Sequence, residues 1–217
     1  MLFLFITAIP AYSLDFDKLS DGFLAKLNEM RAEKQLCVLT ADEVLQRTAQ
    51  LYSEELSDME RLSHEDRYGR KAVGRLRAQG STAVFAGEVL GFGETVGSII
   101  QLWEDSPDHK EVILYEDWTH AGIGVSEYRG KICAVVLFIM KPFRDVLISR
   151  LDKGFSIRLI PEKTVKEKPV VIYNNTLIPV ENPYRIVIDT EGFVNIIQAG
   201  IQKGDSLIIT DLLFLEE

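Results

Sequence analysis

Histidines are the residues of this chain whose type could most readily support chemistry, and there are three of them: His64, His109 and His120. Neutral imidazoles bind zinc, a carboxylate can complete or orient such a site, and two histidines with one acid can hold a metal-bound water for hydrolysis. His64 and His109 lie 45 residues apart, so the sequence contains no local ligand motif of the HExxH type. Each histidine alone also fits an ordinary surface or hydrogen-bonded position. Whether the histidines form a site therefore depends on the elements that position them.

Other catalytic patterns are weak or missing from the sequence. No GxSxG motif occurs, and although Ser63 and Ser106 lie close in sequence to His64 and His109, such closeness is not the geometry of a catalytic triad. Residues Gly91–Gly97 superficially suggest a dinucleotide loop, but their GxGxxxG spacing is one residue too long. A loop that precedes a helix is the better interpretation of this segment.

Composition and charge restrict the class of protein. Apolar residues make up 47% and charged residues 26% of the 217 residues, which is ordinary for a globular protein. The net charge is −9 and the pI about 5.0. Because an acidic chain gains nothing from counterion release on DNA or RNA, nucleic acid is not expected as a partner. The same charge argues against adhesion to anionic membranes.

The first thirteen residues, Met1–Ser13, are apolar and precede the first charge at Asp15. The run is too short to span a bilayer, and Ala11 and Ser13 place small residues where a signal peptide is cleaved. We therefore predict a signal peptide at residues 1–13, with an apolar strand or helix packed on the domain as the alternative. No later segment approaches about 18 consecutive apolar residues, so no stable membrane span is expected.

The two cysteines, Cys37 and Cys133, leave two alternatives open. Both lie in apolar sequence surroundings, so they could form one disulfide in an oxidising compartment or remain as two buried free thiols. The sequence has no CxxC motif and no second Cys/His cluster, so a structural zinc site is not expected.

Apolar spacing predicts helices followed by strands up to Met140. Helical periodicity covers residues 19–33, and a second helix is expected to open at Thr40, whose hydroxyl would form a capping box with Glu43. Further segments are a short helix at 72–78, a helix at 95–103 and a helical turn or short strand at 109–115. Strands are predicted at 120–126 and 132–140.

After Met140 the pattern changes to short apolar stretches separated by turns. Residues 146–160 alternate between apolar and polar, and a charged linker follows at 163–168. Strands are predicted at 170–173, 184–188, 193–197 and 206–215, with turns at Asn174-Asn175, Glu191-Gly192 and Lys203-Gly204. This pattern predicts a small β-rich unit over residues 141–217, close to the lower size limit for independent stability.

Six segments between residues 20 and 140 carry, in order, the motifs of one family. They are Leu27-Asn28-Glu29-Met30-Arg31, Leu45 to Ser53, Ser63-His64 before a short helix containing arginine, Gly87-Glu88, Trp103 with Ser106-Pro107-Asp108-His109-Lys110, and Thr119-His120-Ala121-Gly122-Ile123-Gly124-Val125. These segments resemble the bacterial branch of the CAP superfamily, which includes cysteine-rich secretory proteins, insect venom antigens and plant pathogenesis-related proteins. The ordered set is far more specific than any one segment.

The resemblance implies an α+β fold: a CAP-type αβα sandwich over residues 14–140, followed by the small β-rich C-terminal unit. It also implies a concave cleft in which two histidines and one or two acids often bind zinc or another divalent cation. Carried over by position, the cleft residues are His64, Glu88 and His109, with Glu104 as the nearest match for a second acid. His120 lies outside the usual pair, although bacterial members often have a histidine there.

This resemblance further implies a secreted, periplasmic or cell-surface protein. We expect it to be a non-catalytic binding module for a lipid-like small molecule or for a protein of the cell envelope or host. One alternative is a metal-dependent, protease-like hydrolase that uses His64, Glu88 and His109. Another is a structural envelope protein that acts through its C-terminal unit.

Overall fold

The computed structural model describes residues 15–162, 167–180, 184–188 and 196–214. The predicted signal peptide, the predicted Glu191-Gly192 turn and most of the predicted linker at 163–168 lie outside these residues. Within the described part, the elements of the first region are, in chain order, α1 Phe16–Glu33, β1 Thr40–Ala41, α2 Glu43–Met59, α3 Ala72–Ala78, β2 Gly87–Gly93, α4 Val96–Asp105, α5 Pro107–Ile113, β3 His120–Tyr128 and β4 Lys131–Ile139. None of the described helices is long and apolar enough to cross a membrane.

Several predicted helix starts differ from the structure. The helix predicted from residue 19 begins at Phe16, where Asp15 caps it, and the segment predicted from residue 109 is a helix from Pro107. The predicted capping box at Thr40 is wrong, because Thr40 and Ala41 form β1, which pairs in parallel with the start of β3. Asp42 caps α2 instead, and its carboxylate accepts hydrogen bonds from the backbone N–H groups of Val44 and Leu45. Strand pairing therefore displaces the helix start by two residues.

Four strands form a sheet in the order β1–β3–β4–β2, in which β4 is antiparallel to both of its neighbours. The side chains of β4 alternate between two hydrophobic clusters. Even-numbered residues from Ile132 to Phe138 pack with α1, α4 and α5, and odd-numbered residues from Cys133 to Ile139 pack with α2 and α3. The sheet is thus covered by helices on both faces, which confirms the predicted αβα sandwich.

The glycines of β3 are explained by the approach of α2. A β-carbon at Gly122 would overlap the backbone of Leu45 and Gln46, and one at Gly124 would overlap the carbonyl group of Ala49. The helix therefore lies directly on the strand, a distance that glycine alone permits. Trp103 of α4 fixes the other face, where its indole Nε1 donates to the Leu90 carbonyl at 2.9 Å.

The second region contains strands only, among its described residues. They are β5 Phe143–Arg150, β6 Phe155–Pro161, β7 Lys168–Tyr173, β8 Thr176–Pro179, β9 Arg185–Ile188, β10 Ile196–Lys203 and β11 Ser206–Phe214. They form two sheets, in the orders β11–β10–β7–β8 and β5–β6–β9, whose apolar faces share a third hydrophobic cluster. The predicted β-rich C-terminal region is confirmed.

The hairpin between β7 and β8 turns at Asn174 and Asn175, as predicted, and both residues have positive φ, at 48° and 59°. Two residues with positive φ are what a tight hairpin turn requires, and asparagine tolerates this conformation. β8 itself was not predicted from the sequence.

The two cysteines are far from equivalent. Both are free; Cys133 is buried in β4, whereas Cys37 is exposed, so the alternative of two buried thiols is wrong for Cys37. Burial raises the pKa of the Cys133 thiol to about 11, which keeps it protonated and unreactive at neutral pH.

Candidate functional site

The first residue of the candidate site is Glu88, which lies near the start of β2. Its carboxylate is buried, with 5% of the side chain exposed, and its Oε1 lies 2.8 Å from Nδ1 of His64. The His64 ring is 63% exposed. The structure therefore brings together two of the predicted cleft residues, one as a buried acid and the other as an exposed imidazole.

Arg75 of α3 contacts both members of this pair. Its guanidinium forms an ion pair with Oε2 of Glu88 and donates to the backbone carbonyl of His64 at 3.1 Å. The same guanidinium lies over the ring of Tyr52, 3.5 Å from its centroid, and the Tyr52 hydroxyl donates to the carbonyl of Ser63. Both oxygens of Glu88 are therefore engaged by this chain's own side chains.

Sequence analysis placed an arginine in this short helix but did not assign its role. Arg75 is buried alongside Leu76, so it faces the interior rather than solvent. A buried arginine requires an acidic partner, but the helix also contains Arg77, so the sequence alone did not indicate which arginine is buried.

The loop that carries His64 is fixed by Asp66. The Asp66 carboxylate accepts from the backbone N–H groups of Tyr68 and Arg70, and from Nε of Arg70 at 2.7 Å. Burial opposes ionisation of Asp66, but the hydrogen bonds from Arg70 and Tyr68 outweigh it and lower the pKa of Asp66. The loop is thus held in place by a charged group that stays ionised at neutral pH.

The contact with Glu88 determines the charge of His64. The hydrogen bond to the Glu88 carboxylate raises the pKa of His64 above its ordinary value, against opposing effects of burial, Arg75 and Lys71. The exposed imidazole is therefore more readily protonated than a free histidine. With Nδ1 directed at Glu88, the other ring nitrogen can donate a hydrogen bond when the ring is protonated.

The remaining predicted site residues are not bonded to this pair. His109 is half-buried on α5, and its Nδ1 is buried without a hydrogen-bond partner among the described residues. No hydrogen bond or ion pair joins it to His64 or Glu88. Its helix nevertheless lies along the start of β2, since a β-carbon at Gly87 would lie 3.1 Å from Val112.

His120 and Glu104 occupy different parts of the sandwich. His120 is buried at the start of β3, and its Nδ1 lies 2.9 Å from the Thr119 hydroxyl. His120 lies on β3 and Glu88 on β2, which pair with opposite edges of β4. The two strands are therefore separated by two interstrand spacings, about 10 Å. Glu104 of α4 lies near Lys26 of α1, whose pKa it helps to raise after the larger effect of Glu29.

The resemblance implies a metal centre, which would need several donor side chains around one point. The described residues contain no group of three or more His, Cys, Asp and Glu side chains placed to hold a metal ion. Because Glu88 is held by Arg75 and His64, and His109 does not join them, the arrangement does not fit a three-ligand zinc site. The zinc prediction remains a prediction.

An aromatic cluster, defined here as Phe85, Tyr115 and Trp118, lies on the other face of the β2 start. Ring centroids are 5.0 Å apart for Phe85 and Trp118, and 4.8 Å apart for Tyr115 and Trp118. Trp118 is buried against Gly87, but Phe85 is 53% and Tyr115 39% exposed. Phe85 and Glu88 are three residues apart, so at most about 11 Å of chain separates the aromatic cluster from the His64–Glu88 pair.

Arg31 of α1 holds the segment that contributes Tyr115 and Trp118. It is fully buried, and its Nη1 donates to the carbonyls of Ile113 and Tyr115 at 2.8 and 2.9 Å. Its Nη2 donates to the Trp118 carbonyl and its Nε to the Cys37 carbonyl. One side chain thus fixes the connection from α5 to β3 on the opening helix.

Comparisons with known proteins agree with this architecture. The family model described as "Cysteine-rich secretory protein family" (CAP) matches residues 24–138. The protein YkwD of Bacillus subtilis is 27% identical over 101 residues, which are 46% of this chain and 39% of that protein. The chain therefore matches well under half the length of this curated relative.

Two solved structures share the fold. An outer surface protein from Borrelia burgdorferi superposes with a TM-score of 0.54 at 22% identity, over 58% of this chain and 94% of that one. An extracellular protein containing an SCP domain from Bacillus anthracis gives a TM-score of 0.54 at 22% identity, over 58% of this chain and 41% of that one.

Proposed function

This chain belongs to the cysteine-rich secretory protein (CAP) family, and on that premise we propose that it is a secreted or cell-surface binding protein without catalytic activity. Its ligand is a lipid-like small molecule. The hydrogen-bond-accepting or acidic end of the ligand contacts His64, and its apolar part covers the aromatic cluster. A partner protein that presents the same chemistry is the alternative occupant.

The state of Glu88 carries this proposal. A general base must be free to accept a proton from a substrate or water. Both oxygens of Glu88 are already engaged, by Arg75 and by His64. The acid therefore serves to fix and charge the exposed imidazole, which is an arrangement suited to binding an acceptor group rather than to activating water.

The aromatic cluster supports the apolar half of the ligand. Most large aromatic side chains in a soluble domain are buried, and exposed ones beside a polar site mark contact surfaces. Phe85 and Tyr115 are exposed, while Trp118 beneath them is anchored by its Nε1, which donates to the Val112 carbonyl at 2.7 Å. The surface is therefore apolar and anchored, and at most about 11 Å of chain separates it from the His64–Glu88 pair.

Localisation outside the cell is supported by the relatives. One structural neighbour is titled an outer surface protein and the other an extracellular protein. Their identity to this chain is 22%, and an extracellular location is therefore part of the proposal.

Tryptophan fluorescence during a palmitate titration tests the proposal, because Trp118 lies under Phe85. We expect saturable quenching or a spectral shift, reduced at least tenfold in apparent affinity by Phe85→Ala and by His64→Gln. Phe16→Ala is the matched control, since Phe16 is an exposed phenylalanine at the start of α1. Absence of binding, or equal losses in the control, would contradict a lipid-like ligand and leave the protein-partner and structural alternatives.

The hydrolase alternative has its own test. Calorimetric titration with zinc at neutral pH, on the protein and on the His64→Ala/His109→Ala variant, separates the two functions. One-site binding lost in the variant would contradict a purely non-catalytic site. We expect no saturable binding, because the described acids and histidines do not converge on one point.

A further inference from the structure

The sheet β5–β6–β9 of the C-terminal region has one covered and one open face. Leu147, Arg158 and Arg185 lie side by side in register across its three strands. Side chains alternate along a strand, so these three share the face opposite to Ile148 and Ile157, which pack in the hydrophobic cluster. The open face therefore presents two arginines in direct cross-strand contact range.

This pair of like charges is unusual in its surroundings. Directly opposite residues on antiparallel strands have β-carbons about 4.5–5.5 Å apart, and like charges there destabilise the sheet. The chain carries 33 acidic against 24 basic residues, yet neither Arg158 nor Arg185 forms an ion pair with a carboxylate of the described residues. No described carboxylate therefore offsets the repulsion between the two guanidinium groups.

Ser156 holds one of the two guanidinium groups in place. It is buried, with 5% of its surface exposed, and its hydroxyl accepts a hydrogen bond from Nε of Arg185 at 2.7 Å. That bond leaves the two terminal nitrogens of Arg185 without a partner among the described residues. An open cavity of about 390 Å³ lies above them, lined by Leu147, Ser149, Ser156, Arg158 and Arg185.

We propose that this cavity is an oxyanion-binding site for a phosphate or carboxylate group. Guanidinium groups are planar forks that bind such groups with paired hydrogen bonds, and a bound anion removes the repulsion between the two arginines. Leu147 is 48% and Val187 59% exposed on the same face. They contact the apolar part of an organic phosphate or carboxylate. The site is independent of the His64–Glu88 pair and of the aromatic cluster.

Calorimetric titration of the full chain with inorganic phosphate at low ionic strength tests the site. Each arginine substitution removes a charge-assisted hydrogen bond, and the loss of one such bond weakens binding by about tenfold. We therefore expect Arg158→Gln and Arg185→Gln each to weaken binding by that factor, and the double variant to abolish it. Arg150→Gln is the matched control, because Arg150 is an exposed arginine of β5 outside the cavity.

A second arm identifies the source of the oxyanion. Vesicles of phosphatidylglycerol present the phosphate on a lipid headgroup, and vesicles of phosphatidylcholine serve as their control. Binding of free phosphate, or of phosphatidylglycerol vesicles, that is lost in the double variant and kept in Arg150→Gln supports the site. No binding in either arm, or binding that the folded double variant retains, overturns it, with folding checked by circular dichroism.

Discussion

The sandwich and the C-terminal region differ in how their sheets are covered. In the sandwich, β4 is buried on both faces, and the buried side chains of Arg31 and Glu88 have partners within the chain. In the β5–β6–β9 sheet one face is open, and Arg158 and Arg185 lie there without a described carboxylate partner. Arg31 and Glu88 thus have internal structural roles, whereas we infer an external ligand for the arginine pair.

The two regions meet on both sides of the aromatic cluster. Just before Phe85, the backbone of Thr82 and Val84 pairs with β11, and the Thr82 hydroxyl donates to Asp211 at 2.6 Å. Between Tyr115 and Trp118, the loop acids Glu116 and Asp117 bind Lys203 of β10. The C-terminal region therefore holds both segments that supply the aromatic cluster.

Replacement of the close-contact glycines is the severest test of the difference between the regions. Gly124→Ala would force α2 away from β3, and Gly200→Ala would force apart β10 and β11, where its β-carbon overlaps the Ile208 carbonyl. Each should cost more than about 3 kcal/mol, because the obstacle is backbone. Both tryptophans lie in the sandwich, so their fluorescence in urea reports the unfolding of the sandwich and should show the destabilisation by Gly124→Ala. Circular dichroism also detects the loss of the C-terminal strands in Gly200→Ala.

Gly97→Ala is the control for this pair. Gly97 lies exposed in α4 with open space at its β-carbon, and alanine there should stabilise the helix by about 0.5–1 kcal/mol. If Gly200→Ala also abolished the tryptophan transition, the regions would unfold as one unit, and the predicted boundary at residue 140 would be wrong as a folding boundary.

Arg31→Met is expected to have the next largest effect. It removes the donors to four carbonyls while keeping the side chain's approximate bulk, and buried acceptors left unpaired cost about 1–3 kcal/mol each. We expect a loss of at least about 3 kcal/mol in urea unfolding, partly restored by Arg31→Lys. Arg129→Met removes an exposed ion pair with Glu60 and should cost under about 1 kcal/mol. Equal costs for the two would contradict the internal role of Arg31.

The sequence predicted the sandwich well because its packing constraints are visible in residue type. Gly122 and Gly124 must be glycine under α2, and Arg31 must reach four carbonyls, so both belong to motifs that the resemblance detected. Such positions depend on packing that leaves a trace in the sequence.

The candidate site was predicted only in part, because its distances depend on side-chain partners. The sequence paired His64 with Glu88, but it could not show that Arg75 would occupy the second oxygen or that His109 would stay apart. In the C-terminal region, alternation predicted strands but not their order, since β6 pairs with β9 and β7 with β10 across a long separation in sequence. Register, which aligns Arg158 with Arg185, has no local signature.

Lys203→Gln tests the contact between the regions with a smaller effect. The Lys203 ammonium lies 2.6 Å from Asp117 and 3.0 Å from Glu116, and it is partly exposed, so its loss should cost about 0.2–1 kcal/mol of stability. Its larger effect should be on Trp118 fluorescence, because the loop loses its tether. Arg129→Met, which removes the exposed ion pair with Glu60, should leave that fluorescence unchanged. An unchanged spectrum in Lys203→Gln would show that the C-terminal region does not position the aromatic cluster.

His64 and His120, two of the three histidines of the sandwich, give the finest test of internal control, because their environments shift their pKa values in opposite directions. The hydrogen bond to Glu88 raises the pKa of His64, whereas burial, followed by the charge of Lys141, lowers the pKa of His120. His64 therefore contributes stability below the unfolded-state pKa of about 6.5, and this is lost as pH rises through its folded pKa. His120 acts oppositely, since protonation of the unfolded chain destabilises the fold as pH falls below about 6.5. Proton NMR titration, assigned with His64→Gln, should place the two values on opposite sides of 6.5. A His64 pKa below that of His120 would contradict the Glu88 contact. Ligand binding at His64 should weaken as pH rises through the pKa of His64.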